Sequence, residues 1–157
     1  MARSIEEILQ DVRIDEIPLK SPMQAAPETP LEEAYALLDA SPHGAILVCE
    51  EDGIRGIFSE RDVLYRTALE DLDPKTPIGE LMTPDPVTIP GNERLSTAVR
   101  MMTEKGYRHL PLTDLGGCCE GLLASRNVLR FIADHFPEAV LNLPPRLHQQ
   151  MLSPEGG

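Results

Sequence analysis

The residues best suited to chemistry stand at two strand-to-helix junctions of the same form. The first junction is residues 56–62, GIFSERD, and the second is residues 121–127, GLLASRN. Ser59 is a favourable helix N-cap, and Asp62 places a carboxylate near the positive end of the helix. Because free N–H groups at a helix start point toward bound anions, a ligand that carries phosphate could use such a junction. The second junction has Ala124 and Asn127 instead, so it lacks both the hydroxyl and the carboxylate.

The same series of secondary-structure elements occurs twice in the sequence, and each copy ends with one of the two junctions. A shift of 64 residues places Pro22 on Pro86 and Leu31 on Leu95, and after a one-residue insertion a shift of 65 places Gly56 on Gly121. Each copy predicts an extended leading segment, a helix, a strand, a turn, a strand and a helix, which is a tandem duplication of a β-α-β-β-α unit. Since a unit of roughly 60 residues buries its sheet face poorly alone, the two copies should pack together.

Local patterns predict where these elements begin and end. Apolar spacing predicts a helix over 4–12, and Thr29 is the expected N-cap of the next helix, with Pro30 at its first position. A helix should run from Ser59 to about residue 71, and Gly106 should end a helix that begins near residue 93. The other predicted elements are strands at 45–48, 54–58, 109–112 and 120–123. The predicted domains are an N-terminal helix over 1–13, repeats over 14–73 and 74–134, and a short helix with a mobile tail over 135–157.

The charge of the chain excludes several classes of partner. The formal net charge is -12, from 26 acidic and 14 basic side chains, and no basic cluster is present. We therefore expect neither nucleic acid nor an anionic membrane to bind. The sequence contains no apolar run of roughly 18 residues, and its acidic start does not read as a secretory signal, so we expect a cytoplasmic protein.

Two further segments accompany the junctions: residues 81–88, LMTPDPVT, and residues 106–112, GYRHLPL. With these motifs at this spacing, the chain resembles over residues 14–134 the cystathionine-beta-synthase (CBS) domain family in its tandem form, the Bateman module. The resemblance implies an α+β fold in which two β-α-β-β-α repeats pack through their sheets around a pseudo-twofold axis. It also implies a homodimer shaped like a flat disc.

The function that the resemblance implies is regulatory and non-catalytic. Such a module binds an adenine nucleotide between its repeats and signals to an effector protein, which is unidentified here. AMP, ADP, ATP and S-adenosylmethionine are the candidate ligands, with AMP or ATP favoured, and no cofactor or metal is expected. A binding-induced signal requires that the ligand prefer one conformation of the module.

The resemblance also implies two clefts with different residues. One cleft would combine Ile57, Ser59, Arg61, Asp62, Val87, Thr88, Ile89, Arg108 and His109. The other would combine Leu122, Ala124, Arg126 and Asn127 with Met23, Gln24, Gly44 and Ala45. A carboxylate makes charge-assisted hydrogen bonds to ribose hydroxyls, which are stronger than those of an amide. We therefore expect the first cleft to be competent and the second to be empty or altered.

Three other interpretations stand beside this one. Ser59 and Asp62 could form only a capping box, worth about 1 kcal/mol of helix stability. The chain could be a structural or dimerisation module with decayed nucleotide sites, as the substitutions at the second junction favour. It could also be a thiol enzyme that uses Cys118 or Cys119, but the histidines lie in unrelated elements. Three cysteines cannot all pair within one chain, and none has the C-x-x-C spacing of a zinc site, so structural disulfides are not expected.

Overall fold

Two small β-sheets with flanking helices form the structure, a computed structural model that describes residues 3–67 and 71–136. The predicted C-terminal helix and tail lie outside the described residues, apart from His135 and Phe136. None of the helices in the described part of the chain combines the length and the apolar character that a bilayer crossing requires.

The first sheet has the strand order β1-β2-β3-β4, with β1 parallel to β2 and the other pairs antiparallel. These strands are β1 (Met23–Ala25), β2 (Ala45–Glu50), β3 (Gly53–Ser59) and β4 (Thr83–Pro84). Helix α2 (Leu31–Ala40) buries Leu31, Ala34 and Leu38 against this sheet, as its apolar spacing predicts. The second helix of the repeat is α3 (Glu60–Asp62), which continues as a π-helical turn over Val63–Thr67.

The second sheet has the order β5-β6-β7, with β5 parallel to β6 and β6 antiparallel to β7. Its elements are β5 (Ile89–Pro90), α4 (Leu95–Lys105), β6 (His109–Thr113), β7 (Cys119–Ala124) and α5 (Ser125–His135). Gly106 follows α4 with φ 76, the left-handed conformation that a glycine adopts without a Cβ penalty. The predicted helix end at this glycine is therefore confirmed.

The leading segments of the two repeats are exchanged. Helix α1 (Ile5–Asp11) packs on α4, and Ile14 and Ile17 lie in the hydrophobic core of the second repeat. Conversely, Ile78 and Leu81 lie in the core of the first repeat.

Backbone hydrogen bonds repeat this exchange at equivalent positions. The Ile14 N–H donates to the Glu93 carbonyl, and the Ile78 N–H donates to the Thr29 carbonyl, each at 2.9 Å. Each repeat therefore completes its core with residues from the beginning of the other.

The two sheets face each other across a third apolar cluster. Ala45, Leu47 and Ile57 of the first sheet are buried against Leu122 of the second. Removing this apolar surface from water favours the association of the two repeats. The predicted α+β fold, with repeats that pack through their sheets, is confirmed.

Two local predictions are wrong. Helix α2 begins after Pro30, which acts as the N-cap with φ -70 and ψ 150, and no side chain caps this helix end. The Thr29 hydroxyl instead accepts a hydrogen bond from the Ala26 N–H at 3.2 Å, because the chain turns between these residues before the helix begins. The helix predicted from Ser59 is α-helical only through Asp62, and the structure gives no physical reason for the π-helical turn that follows.

Candidate functional site

The first junction forms a complete capping box. The Asp62 carboxylate accepts from the Ser59 N–H at 2.9 Å and from the Ser59 hydroxyl at 3.1 Å. The Asp62 N–H lies 3.4 Å from Ser59 Oγ. These bonds satisfy donors that a helix N-terminus otherwise leaves unpaired, so the predicted cap is confirmed.

Asp62 also connects the first repeat to the leading segment of the second. The other carboxylate oxygen accepts a hydrogen bond from the Thr83 hydroxyl at 3.2 Å. Asp62 is only 7% exposed, and burial of a carboxylate is costly unless hydrogen bonds compensate it. The carboxylate therefore holds the junction and β4 together.

The second junction repeats the helix cap with a neutral amide in place of the carboxylate. Asn127 Oδ1 accepts a hydrogen bond from the Ala124 N–H at 2.8 Å, which matches the bond from Ser59 to Asp62 in the first repeat. An amide oxygen is neutral, and Ala124 offers no hydroxyl. The two junctions therefore share a backbone geometry and differ in charge.

A cavity of about 300 Å³, here called the first cleft, opens between the two repeats beside the first junction. Its lining combines the Ser59 hydroxyl with three exposed guanidinium groups, those of Arg61, Arg108 and Arg126. Glu60 is the carboxylate among the lining residues. The cleft can therefore accept a ligand that carries negative charge and hydroxyl groups.

Most of the residues predicted for one cleft do line this cavity. They are Ile57, Ser59, Arg61, Val87, Arg108 and His109. Asp62 does not line the cavity, but its carboxylate accepts hydrogen bonds from Ser59 and Thr83, which do line it. Thr88 does not line the cavity, and Ile89 is buried in the core of the second repeat.

Residues predicted for the other cleft are divided between several places. Gly44, Ala124 and Arg126 line the first cleft together with the first junction. Ala45 and Leu122 belong to the apolar cluster between the sheets, and Met23 packs on the core of the first repeat. Gln24 is an exposed residue of β1.

A second cavity of about 510 Å³, here called the second cleft, lies beside the second junction. The sequence prediction gave it Arg126 and Asn127, which do line it. The prediction missed Lys20 and Arg130, which bring positive charge to a cleft that the sequence predicts to be empty or altered. The spacing of Arg126 and Arg130 by four residues on α5 was the available signal, because such residues share one helix face.

Two histidines connect the walls of the two clefts. His109 lines the first cleft, and its Nε2 atom donates to the main-chain carbonyl of His43, which lines the second, at 2.8 Å. Burial lowers the pKa of His109, and nearby Arg126 adds to this shift, so the imidazole is held neutral. His43 is 1% exposed, and its Nε2 atom lies 2.8 Å from the Lys20 carbonyl.

Within residues 3–67 and 71–136, no three histidine, cysteine or acidic side chains come together as a metal site would require.

Comparison with known proteins agrees with this architecture. The CBS domain model matches residues 14–68 and again 78–134. The CBS domain-containing protein YhcV of Bacillus subtilis is 32% identical over 89 residues, which are 57% of this chain and 64% of YhcV. The chain thus spans less than two thirds of the first two curated relatives that it matches, at 63% and 64% of their lengths.

Two solved structures share the fold at low identity. The CBS domain protein PAE2072 from Pyrobaculum aerophilum, complexed with AMP, superposes with a TM-score of 0.68 at 20% identity, covering 78% of this chain and 99% of that one. The CBS domain pair of protein MJ0100, in complex with 5-methylthioadenosine and S-adenosyl-L-methionine, has the same TM-score and identity and covers 78% and 97%. The chain belongs to the CBS domain family and carries two copies of the domain.

Proposed function

We propose that this chain is a regulatory rather than catalytic module, which binds an adenine nucleotide in the first cleft and signals to an effector protein. The proposal rests on one observation, that both repeats contribute residues to the lining of this cleft. Ser59 and Arg61 come from the first repeat, and Arg108 and Arg126 come from the second. A ligand that spans both repeats favours the conformation in which these groups converge, and such a preference is what a binding signal requires.

The chemistry of the wall suits a nucleoside phosphate. Guanidinium groups bind phosphate in a planar, bidentate manner, and the Ser59 hydroxyl can bond a ribose or a phosphate oxygen. The volume of about 300 Å³ lies at the lower end of the range typical of small-molecule sites. Solved relatives of the same fold carry AMP or S-adenosyl-L-methionine, which supports an adenine ligand.

The rival interpretation is a structural module with decayed nucleotide sites. It is favoured by the position of Asp62, whose carboxylate is already bonded to Ser59 and Thr83 behind the cleft wall. On this interpretation the junction serves only to cap a helix and to fix β4.

Binding measurements with a matched pair of variants separate the two interpretations. AMP, ADP, ATP and S-adenosylmethionine are tested by thermal unfolding and calorimetry, with GMP as the control for the base. A ligand at about 100 times its Kd should raise stability by ~2.7 kcal/mol. Arg108→Ala should weaken binding about tenfold or more through loss of a charge-assisted contact, whereas Arg100→Ala removes the same charge from the exposed side of α4 and should leave affinity unchanged. No response to any ligand would favour the structural interpretation.

We also propose that the module is a homodimer. Leu64 and Leu129 occupy equivalent positions on the second helical segments of the two repeats and are 64% and 67% exposed. Exposed leucines at matching positions suit a symmetric interface, in which one patch meets its own copy. Light scattering should show a dimer that Leu64→Lys with Leu129→Lys converts to a monomer. Leu115→Lys, in a fully exposed hairpin turn, is the control that should leave the dimer intact.

A further inference from the structure

Two cysteines, one from each repeat, pack at the interface between the repeats. Cys49 lies near the end of β2, and Cys119 begins β7, so they belong to different sheets. Both are free and half-buried, and both pack against the apolar cluster that joins the two sheets. The thiols are close enough that each shifts the pKa of the other, upward for Cys49 and downward for Cys119.

Irregularities in both hairpins place these side chains. The register of β2 against β3 shifts between Val48 and Cys49, and the register of β6 against β7 shifts next to the pair of Thr113 and Cys119. A bulge of this kind turns a side chain away from the direction that a regular strand would give it. Each cysteine thus occupies the irregular end of its strand pair.

The interaction between the two thiols makes Cys119 the more reactive one. Its interaction with Cys49 lowers the pKa of Cys119 to about 7, which favours the thiolate form. The same interaction and burial raise the pKa of Cys49, which keeps its proton. A thiol whose pKa lies near the ambient pH is the most effective attacking group in disulfide exchange.

We propose that Cys49 and Cys119 form a redox-responsive disulfide that joins the two repeats across their sheet interface. The oxidant is a small-molecule disulfide. The Cys119 thiolate attacks one of its sulfur atoms, forming a mixed disulfide and releasing one thiolate. Cys49 then gives up its proton and attacks the Cys119 sulfur, which releases the second thiolate. Two protein thiols are oxidised, and one small disulfide is reduced to two thiols, which take up the two protons.

The neighbouring Cys118 is the alternative partner. It is exposed in the hairpin turn, where its N–H donates to the Asp114 carboxylate at 3.0 Å. Cys118 is exposed, whereas Cys49 packs against the same apolar cluster as Cys119. The geometry therefore favours the bond between repeats over a bond between adjacent residues.

The test is oxidation of the full reduced chain with oxidised glutathione, followed by alkylation with N-ethylmaleimide and peptide mapping after trypsin. We expect a cross-linked peptide pair that contains Cys49 and Cys119, with Cys118 alkylated, and a reductant should reverse it. Cys118→Ser should form the same cross-link, whereas Cys49→Ser should stop at a glutathione adduct. The proposal is overturned if the wild-type end product is a Cys118–Cys119 disulfide or a stable glutathione adduct on Cys119.

A second readout uses the same samples. A cross-link between the repeats restricts the unfolded chain, so the oxidised protein should unfold at a higher temperature than the reduced protein. The rise should be present in Cys118→Ser and absent in Cys49→Ser. Because neither measurement involves a nucleotide, failure of the nucleotide proposal leaves this test intact. An equal rise in both serine variants contradicts the assignment.

Discussion

Replacing Asp62 by alanine should destabilise the protein more than the equivalent change in the second repeat. The change removes the acceptor of hydrogen bonds from the Ser59 N–H, the Ser59 hydroxyl and the Thr83 hydroxyl. Loss of a helix cap costs about 0.5–2 kcal/mol, and a hydrogen bond to a charged group contributes about 1.5–3 kcal/mol. Since both hydroxyls can turn toward water, we expect a total loss of about 2–4 kcal/mol.

The assay is urea unfolding followed by circular dichroism, with Asn127→Ala as the matched control. Asn127 supplies a neutral oxygen to the Ala124 N–H, so its removal should cost about 1 kcal/mol. Asp62→Asn should also lose only about 1 kcal/mol, because the amide can accept from Ser59 and donate to the Thr83 hydroxyl.

The reasoning is refuted if Asp62→Ala and Asn127→Ala lower the unfolding free energy by equal amounts. That result would mean that the bond between Asp62 and Thr83, and the charge of the carboxylate, contribute nothing beyond the cap. Thr83→Val isolates this bond, since it removes the hydroxyl and leaves the cap in place. It should account for about 1–2 kcal/mol of the difference.

Three other predictions concern single groups. The pKa of His109 is lowered in the fold, so its contribution to stability is full above about pH 6.5 and is lost as the pH falls through the lowered value. His109→Gln should therefore flatten the decline of the urea midpoint below about pH 6.5. Cys49→Ala should raise the pKa of Cys119 above about 7, measured as a shift to higher pH of its alkylation rate. Gly44→Ala should cost about 1–2 kcal/mol in thermal unfolding, because Gly44 has φ +69 and a Cβ there would meet Arg126 Nη2 at 2.7 Å; an unchanged midpoint would contradict this.

The features predicted correctly from the sequence are those that local patterns determine. Ser59 and Gly106 act where capping preferences place them, because helix ends must satisfy their own backbone groups. The duplication is predicted from the repeated order of elements, and the packing of the two sheets against each other is predicted from the duplication. Thr29 was assigned wrongly because the same hydroxyl can close a turn as well as cap a helix.

The composition of the second cleft could not be predicted in the same way. Lys20 comes from a leading segment that is exchanged between repeats, and no local periodicity reports which core such a segment joins. Gly44 lines the cleft of the first junction because its carbonyl accepts the Glu60 N–H at 3.1 Å, a contact set by strand pairing. Long-range packing therefore brings Lys20 to this cleft, whereas only the placement of Arg126 and Arg130 on one helix face follows from sequence spacing.

The exchange of leading segments has a consequence for the synthesis of the chain. A nascent chain that ends before Ile78 has a first repeat whose core still lacks two of its buried residues, while Ile14 and Ile17 have no second core to enter. Unlike a protein whose domains fold one after another during translation, this one should complete both halves together and late. A chain stopped between the repeats lacks residues 78–81, so their place in the first core stays vacant unless a full-length molecule supplies them. Premature termination should therefore yield an incompletely folded first repeat rather than a folded half.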